Sequence, residues 1–163
     1  MTVGPFSLSF TAVTLVDRLH EKRFFQKVSH STGKTLLLID PEDDLREVTQ
    51  TGLELTTNWK IFTAPSYTEG LRLAIAQKPD AILVNGSMID LEYSAIFNQL
   101  DSHPVTENIP IIAISDRVRL GDKVQFAQLG VMDVIAKPFD SANLGQQIAT
   151  FLQWNASYPS PYD

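Results

Sequence analysis

Four residues able to carry charge, donate hydrogen bonds or ligate a metal each close a run of apolar residues. Asp40 follows residues 36–39, Asn85 follows 81–84, Ser115 follows 111–114 and Lys137 follows 134–136. Taken singly, each reads as a cap or a turn residue. Taken together they occupy the carboxyl ends of successive buried strands, the positions that converge on one crevice in an open α/β sheet. Three of these groups are a carboxylate, a hydroxyl and an ammonium. The fourth group is a carboxamide. It is neutral and resonance-stabilised, and a far poorer nucleophile toward phosphorus than a carboxylate.

The elements that must position these groups follow from the hydropathy pattern. Residues 79–86, Pro-Asp-Ala-Ile-Leu-Val-Asn-Gly, read as a central strand covered on both faces, because four consecutive apolar residues leave no solvent side. Residues 35–40 and 110–115 repeat that pattern, 131–136 make a further strand, and 59–63 alternate as a strand nearer an edge. Between them run helices with expected inward faces of Leu45, Val48, Gly52 and Leu55; Leu71, Ala74 and Ile75; and Tyr93, Ile96, Phe97 and Leu100. A fourth helix, about 120–128, is expected to bury Leu120, Val124 and Ala127 and to stop at Gly130. Ser66 and Glu69 form a capping box for the second helix, and Ser141 is expected to cap the last, which turns Leu144, Ile148, Phe151 and Leu152 inward. Strand and helix alternate five times, which predicts a five-stranded parallel sheet with helices on both faces.

Composition narrows the function. The chain has 163 residues, 44% hydrophobic and 20% charged, enough for one good core and not for two. A formal charge of −6 argues against a nucleic-acid surface, and no apolar run reaches the length of a membrane span. There is no cysteine, which excludes thiolate metal sites and disulfides and fits a cytoplasmic location. His20, His30 and His103 stand far apart without ligand spacing, so no metal site is expected from them.

Residues 1–33 form an extension of different character, with Arg18, Lys22, Arg23 and Lys27 against Asp17 and Glu21. A helix over 15–28 is expected, apolar on two opposite sides: Leu15, Val16 and Leu19 against Phe24, Phe25 and Val28. Residues 34–154 make the domain and 155–163 a polar tail.

The domain resembles the receiver domain of two-component response regulators. The resemblance rests on residues 36–40 (Leu-Leu-Leu-Ile-Asp), 79–85, 109–115 (Ile-Pro-Ile-Ile-Ala-Ile-Ser) and 133–139 (Asp-Val-Ile-Ala-Lys-Pro-Phe), in this order and spacing. It implies a flavodoxin-like (CheY-like) doubly wound sheet in the order 2-1-3-4-5, and a cis bond between Lys137 and Pro138. An active receiver takes a phosphoryl group onto an aspartate ending its third strand, with Mg²⁺ bridging that residue and an acidic pair after the first strand. Carried onto this chain, Asp40 fills the first acidic position, Ser115 the hydroxyl and Lys137 the lysine. Pro41 stands where the second acid would be, with Glu42 beside it. Asn85 stands at the phosphoacceptor position and Val134 at that of the switch aromatic.

These departures imply a pseudo-receiver, with no catalysis of its own and with Mg²⁺ binding weak or absent, because two of three carboxylates are gone. Polar contacts of Lys137 with Asp40 and Asn85 are expected to hold the remnant site together. Function then falls to the surface: a stand-alone, phosphorylation-independent interaction module in a phosphorelay pathway, partnered by signalling proteins or by itself in a homodimer, with no nucleic acid and no membrane. The resemblance implies docking on the fourth helix, fifth strand and fifth helix, displaying Arg117, Arg119 and Lys123 near Asp133 and Asp140. Two alternatives remain at this point. One is a response regulator phosphorylated at a non-standard residue such as Ser87 or Asp90. The other is a haloacid-dehalogenase-like phosphatase, suggested by Asp40-x-Glu42, Ser115 and Lys137. Asn85-Gly86 is also a favourable sequence for deamidation.

Overall fold

The computed structural model describes residues 33–87, 90–116 and 118–154. The expected helix over 15–28, the tail 155–163 and Arg117 lie outside the described residues. Five strands alternate with five helices: β1 (Thr35–Ile39), α1 (Asp43–Thr56), β2 (Lys60–Ala64), α2 (Tyr67–Gln77), β3 (Ala81–Gly86), α3 (Leu91–Ser102), β4 (Ile111–Ser115), α4 (Leu120–Gln128), β5 (Asp133–Ala136) and α5 (Leu144–Leu152). All pairings are parallel and the order is β2-β1-β3-β4-β5. This is the doubly wound, flavodoxin-like sheet expected from the alternation and the resemblance. The Lys137–Pro138 bond is cis.

Each central strand is buried on both faces, so its alternate residues enter two separate cores. Leu37, Ile39, Ile82, Val84, Ile111 and Ala113 pack with α2, α3 and Phe126 of α4. Leu36, Leu38, Leu83, Ile112 and Ile114 pack with Leu53 of α1 and with Leu144, Ile148 and Ala149 of α5. The first core is aromatic. Tyr93 lies 5.0 Å from Phe97 and 6.2 Å from Phe126, both edge to face, a geometry that adds attraction to area burial. At the amino-terminal edge of the sheet Trp59 and Trp154 meet at 5.0 Å, with the Lys34 ammonium over Trp154.

Two helices are rotated from the expected orientation. In α1 the buried residues are Thr49 and Leu53, while Val48 and Leu55 are each 55% exposed. The cause is Gly52, which lies so close to the α5 approach that a Cβ would stand 2.9 Å from the Ser141 carbonyl. That contact fixes the helix roll and turns threonines inward. Thr56 satisfies its hydroxyl on the Gly52 carbonyl at 2.6 Å, so a polar side chain can face the core. In α4 the buried residue is Phe126, whereas Leu120 (82%), Val124 (53%) and Ala127 are exposed. Phe126 wedges beside Phe97 at 5.9 Å and sets the roll of this short helix.

Cap assignments shift in detail. Ser66 accepts the Glu69 N–H as expected, and the Glu69 carboxylate pairs with Arg72. α5 begins two residues late, with Asn143 at its N-cap and not Ser141, because Asp140 organises the entry by accepting from the Ala142 N–H and the Asn143 amide. Gly130 follows α4 at φ +83, a left-handed conformation that favours glycine.

The Thr49 hydroxyl is buried and accepts or donates no hydrogen bond among the described residues. Thr49→Val keeps the shape and removes the orphan group, so it should raise unfolding free energy by about 1 kcal/mol. Urea titrations of the two proteins read the difference. A loss of comparable size would mean that the hydroxyl is satisfied.

Candidate functional site

The parallel sheet brings all four candidate residues to one edge. Asp40 leaves β1, Asn85 lies within β3, Ser115 ends β4 and Lys137 follows β5. Register places Asn85 opposite Ile114, Gly86 opposite Ser115, and Ser115 opposite Ala136. Asp40, Asn85 and Ser115 are all buried.

Asp40 is the hub. One carboxylate oxygen, Oδ1, accepts the Glu42 backbone N–H at 2.9 Å, and Oδ2 accepts the Asn85 amide Nδ2 at 2.9 Å. Its backbone N–H donates to Ala64 of β2, and its carbonyl accepts from Arg46 Nη1 at 2.8 Å. Burial pushes the Asp40 carboxyl above its usual range, and the charge of Glu42 adds to this. The two hydrogen bonds and, more weakly, the Lys137 charge act the other way. Asn85 uses its amide NH₂ on Asp40, while its buried Oδ1 accepts no hydrogen bond among the described residues.

The expected contacts of Lys137 are corrected by the geometry. Its ammonium pairs with Glu42 Oε1 at 3.8 Å, across the exposed Pro41 turn, while the Asn85 amide NH₂ donates to Asp40. Lys137 is tied to the site by its backbone N–H, which donates to the Ser115 carbonyl at 2.9 Å. Val134 is half-buried and packs against the aromatic-side core. Mg²⁺, which the receiver resemblance implies, does not fit this donor set. One buried carboxylate already accepts two hydrogen bonds, the next is exposed and faces a lysine, and no group of three metal-ligating side chains stands together among the described residues.

Three contributors to the site were not legible as such. Arg46 braces the turn after β1 by binding the Asp40 carbonyl and the Asp43 carboxylate. Tyr67 and Tyr93 read as a capping-box neighbour and a core residue. In the fold, the Tyr67 hydroxyl donates to the Asn85 carbonyl at 3.1 Å, and that of Tyr93 to the Ile114 carbonyl at 2.9 Å. Burial raises both phenols well above their usual range, so they stay protonated donors.

On the expected docking face, Arg119 and Lys123 are exposed, but Asp133 and Asp140 are occupied locally. The Asp133 carboxylate accepts the Val134 N–H at 2.8 Å, and Asp140 caps the approach to α5. The same face carries two apolar residues that the helical pattern assigns to the core, Leu120 and Val124.

The response regulator receiver domain family matches residues 36–149. The chain belongs to that family. Among curated relatives it is 26% identical over 121 residues to the phosphate regulon transcriptional regulatory protein PhoB of Pseudomonas aeruginosa, covering 74% of this chain and 52% of the relative. It is 30% identical over 122 residues to the transcriptional regulatory protein GlrR of Escherichia coli, covering 74% and 27%. The chain thus spans about half the length of the first of these regulators, or less. Among solved structures, the chemotaxis protein CheY4 of Vibrio cholerae superposes with a TM-score of 0.67 at 17% identity, over 73% of this chain and 98% of that one. A response regulator from Desulfuromonas acetoxidans gives 0.63 at 24%, over 74% and 97%. Membership of this family leaves the phosphatase alternative unfavoured. Among the described residues no helix is long and apolar enough to cross a membrane.

The Asp40 environment predicts a pH signature. Its folded pKa lies above the ordinary 3.8, so between those values the unfolded chain has released the proton that the folded chain retains. Its contribution is therefore fully present at low pH, declines as pH rises through that window, and is level above it. Urea midpoints of the wild type should fall relative to those of Asp40→Asn as pH rises from about 4. Parallel curves across the range would show that the carboxyl is not displaced.

Proposed function

We propose that this chain is a pseudo-receiver: a module of two-component signalling that keeps the receiver fold and acts by protein contact, without phosphorylation at residue 85. The observation that carries the reading is Asn85. The residue buried at the carboxyl end of β3 is an amide that donates to Asp40, where phosphoryl transfer needs a free carboxylate. The poor Mg²⁺ donor set supports the same reading, since a metal is needed to neutralise charge at a transferring phosphoryl group.

The surface formed by α4 and the approach to β5 is the proposed contact. Leu120 and Val124 are exposed there beside the cationic Arg119 and Lys123. Exposed apolar side chains grouped with charge suit a protein interface. A symmetric pairing of two copies is the simplest occupant, and another signalling protein of the same pathway is the alternative. In the cytoplasm such a module works as a scaffold or competitor and not as an enzyme.

Incubation with acetyl phosphate and Mg²⁺ should leave the protein without acid-labile label, whereas stoichiometric label would overturn the reading. The metal site gives a second test. Asn85→Asp replaces a hydrogen bond with two close carboxylates, which repel by roughly 4 kcal/mol at 4 Å and an effective dielectric near 20. Lys137 and partial protonation offset much of that, leaving a net loss of about 1–2 kcal/mol without metal. Adding Pro41→Asp should create a site that millimolar Mg²⁺ stabilises, while the wild-type melting temperature hardly responds. A wild type that gains as much from Mg²⁺ as the double variant would count against a degenerate site.

The contact surface is checked separately. Leu120→Asp combined with Val124→Asp alters exposed positions, so stability should change by no more than about 0.5 kcal/mol per site. Sedimentation should then show loss of dimer. A wild type that is monomeric at all concentrations would direct the search to a different partner.

A further inference from the structure

We propose that Tyr67, Gly86 and Tyr93 form a latch that fixes the carboxyl ends of β3 and β4 in one conformation and holds α4 to them. Two buried hydroxyls take the carbonyls at this edge: Tyr67 that of Asn85, and Tyr93 that of Ile114, immediately before Ser115. The bonds come from different helices, α2 and α3, so neither strand end can shift without moving a helix or breaking a bond. Asn85 and Ile114 are direct register partners, so the two bonds act on one rung of the sheet.

Gly86 is what admits the rings. A Cβ at this position would overlap the Tyr67 hydroxyl and the Tyr93 ring together. The requirement is one of space, since the left-handed glycine among the described residues is Gly130. The Tyr67 and Tyr93 rings lie 5.9 Å apart, and Tyr93 continues into Phe97 and Phe126. Phe126 belongs to α4, the helix that displays Leu120 and Val124. The latch therefore connects the crevice rigidly to the surface proposed as the contact. In a module that is not switched by phosphorylation, such a connection keeps the surface in one presentation. This last consequence rests on the proposed function; the latch itself does not.

The test is amide hydrogen exchange on the full chain, comparing wild type, Tyr93→Phe and Gly86→Ala. Tyr93→Phe keeps the ring packing and deletes one hydrogen bond. It should speed exchange of the amides around residues 113–120 by roughly five- to tenfold, with β1 as the internal reference unchanged. Gly86→Ala, which drives both rings off their places, should loosen both strand ends and speed exchange around residues 84–87 as well. Equal acceleration in β1 and β4, or none in either, would overturn the latch and show only general packing. Should Gly86→Ala fail to fold, the Tyr93→Phe comparison decides alone. Sedimentation of Tyr93→Phe separates the two ideas. Localised exchange with unaltered association retains the latch and detaches it from the contact surface, whereas uniform exchange rejects it whatever the association.

Discussion

A carboxylate taken out of water must be surrounded by donors, and Asp40 organises the functional edge of this protein through that demand. The donors come from separate parts of the chain: the Glu42 N–H at the start of α1 and the Asn85 side chain on β3. Arg46 adds a bond to the carbonyl of the same residue. Together these interactions tie β1, α1 and β3 into one unit. A donating amide at residue 85 is chemically matched to such a neighbour. An acid in its place would need a counter-charge, and Lys137 is already drawn toward Glu42.

The two faces of the sheet serve different purposes. The α1–α5 face is aliphatic at its centre, built of Leu and Ile from the strands with Leu53, Leu144 and Ile148 from the helices, and its aromatic residues, among them Trp59 and Trp154, lie around it. The α2–α4 face is aromatic, and its rings carry polar handles to the crevice edge. Tyrosine suits that position because its ring can be buried in a core while its hydroxyl reaches a carbonyl several ångströms away. Packing and polar satisfaction of the site are thus accomplished by the same side chains. Phe126, the last ring of the series, also determines which residues of α4 face solvent.

Receiver family membership accounts for the architecture and, in the proposed reading, for the positions of Asp40, Ser115 and Lys137. It does not account for Asn85, Pro41 or Val134, and these three departures bear on one function: holding, neutralising and sensing a phosphoryl group. Their agreement is what gives the proposed phosphorylation-independent role its physical basis. A single altered residue would leave a weakened site; in the proposed reading the donor set lacks both the nucleophile and the cage.

Much of this was legible in the residues themselves. Runs of four apolar residues bounded by turn residues fit strands buried on both faces, and their alternation with helical segments made the five-stranded parallel sheet and the convergence of its polar ends legible from local pattern. The helix faces of α3 and α5 were equally clear, because Tyr93, Ile96, Phe97 and Leu100, or Leu144 and Ile148, recur at helical spacing. The rolls of α1 and α4 were not. Hydropathy treats Thr49 as polar and Leu120 as apolar, but a helix turns according to its tightest contact, Gly52 on Ser141 in one case and Phe126 against Phe97 in the other. The partners of the crevice residues were hidden for the same reason. Which donor reaches Asp40, and which hydroxyls reach the carbonyls of Asn85 and Ile114, depends on distances between segments remote in sequence, and only the assembled sheet sets those.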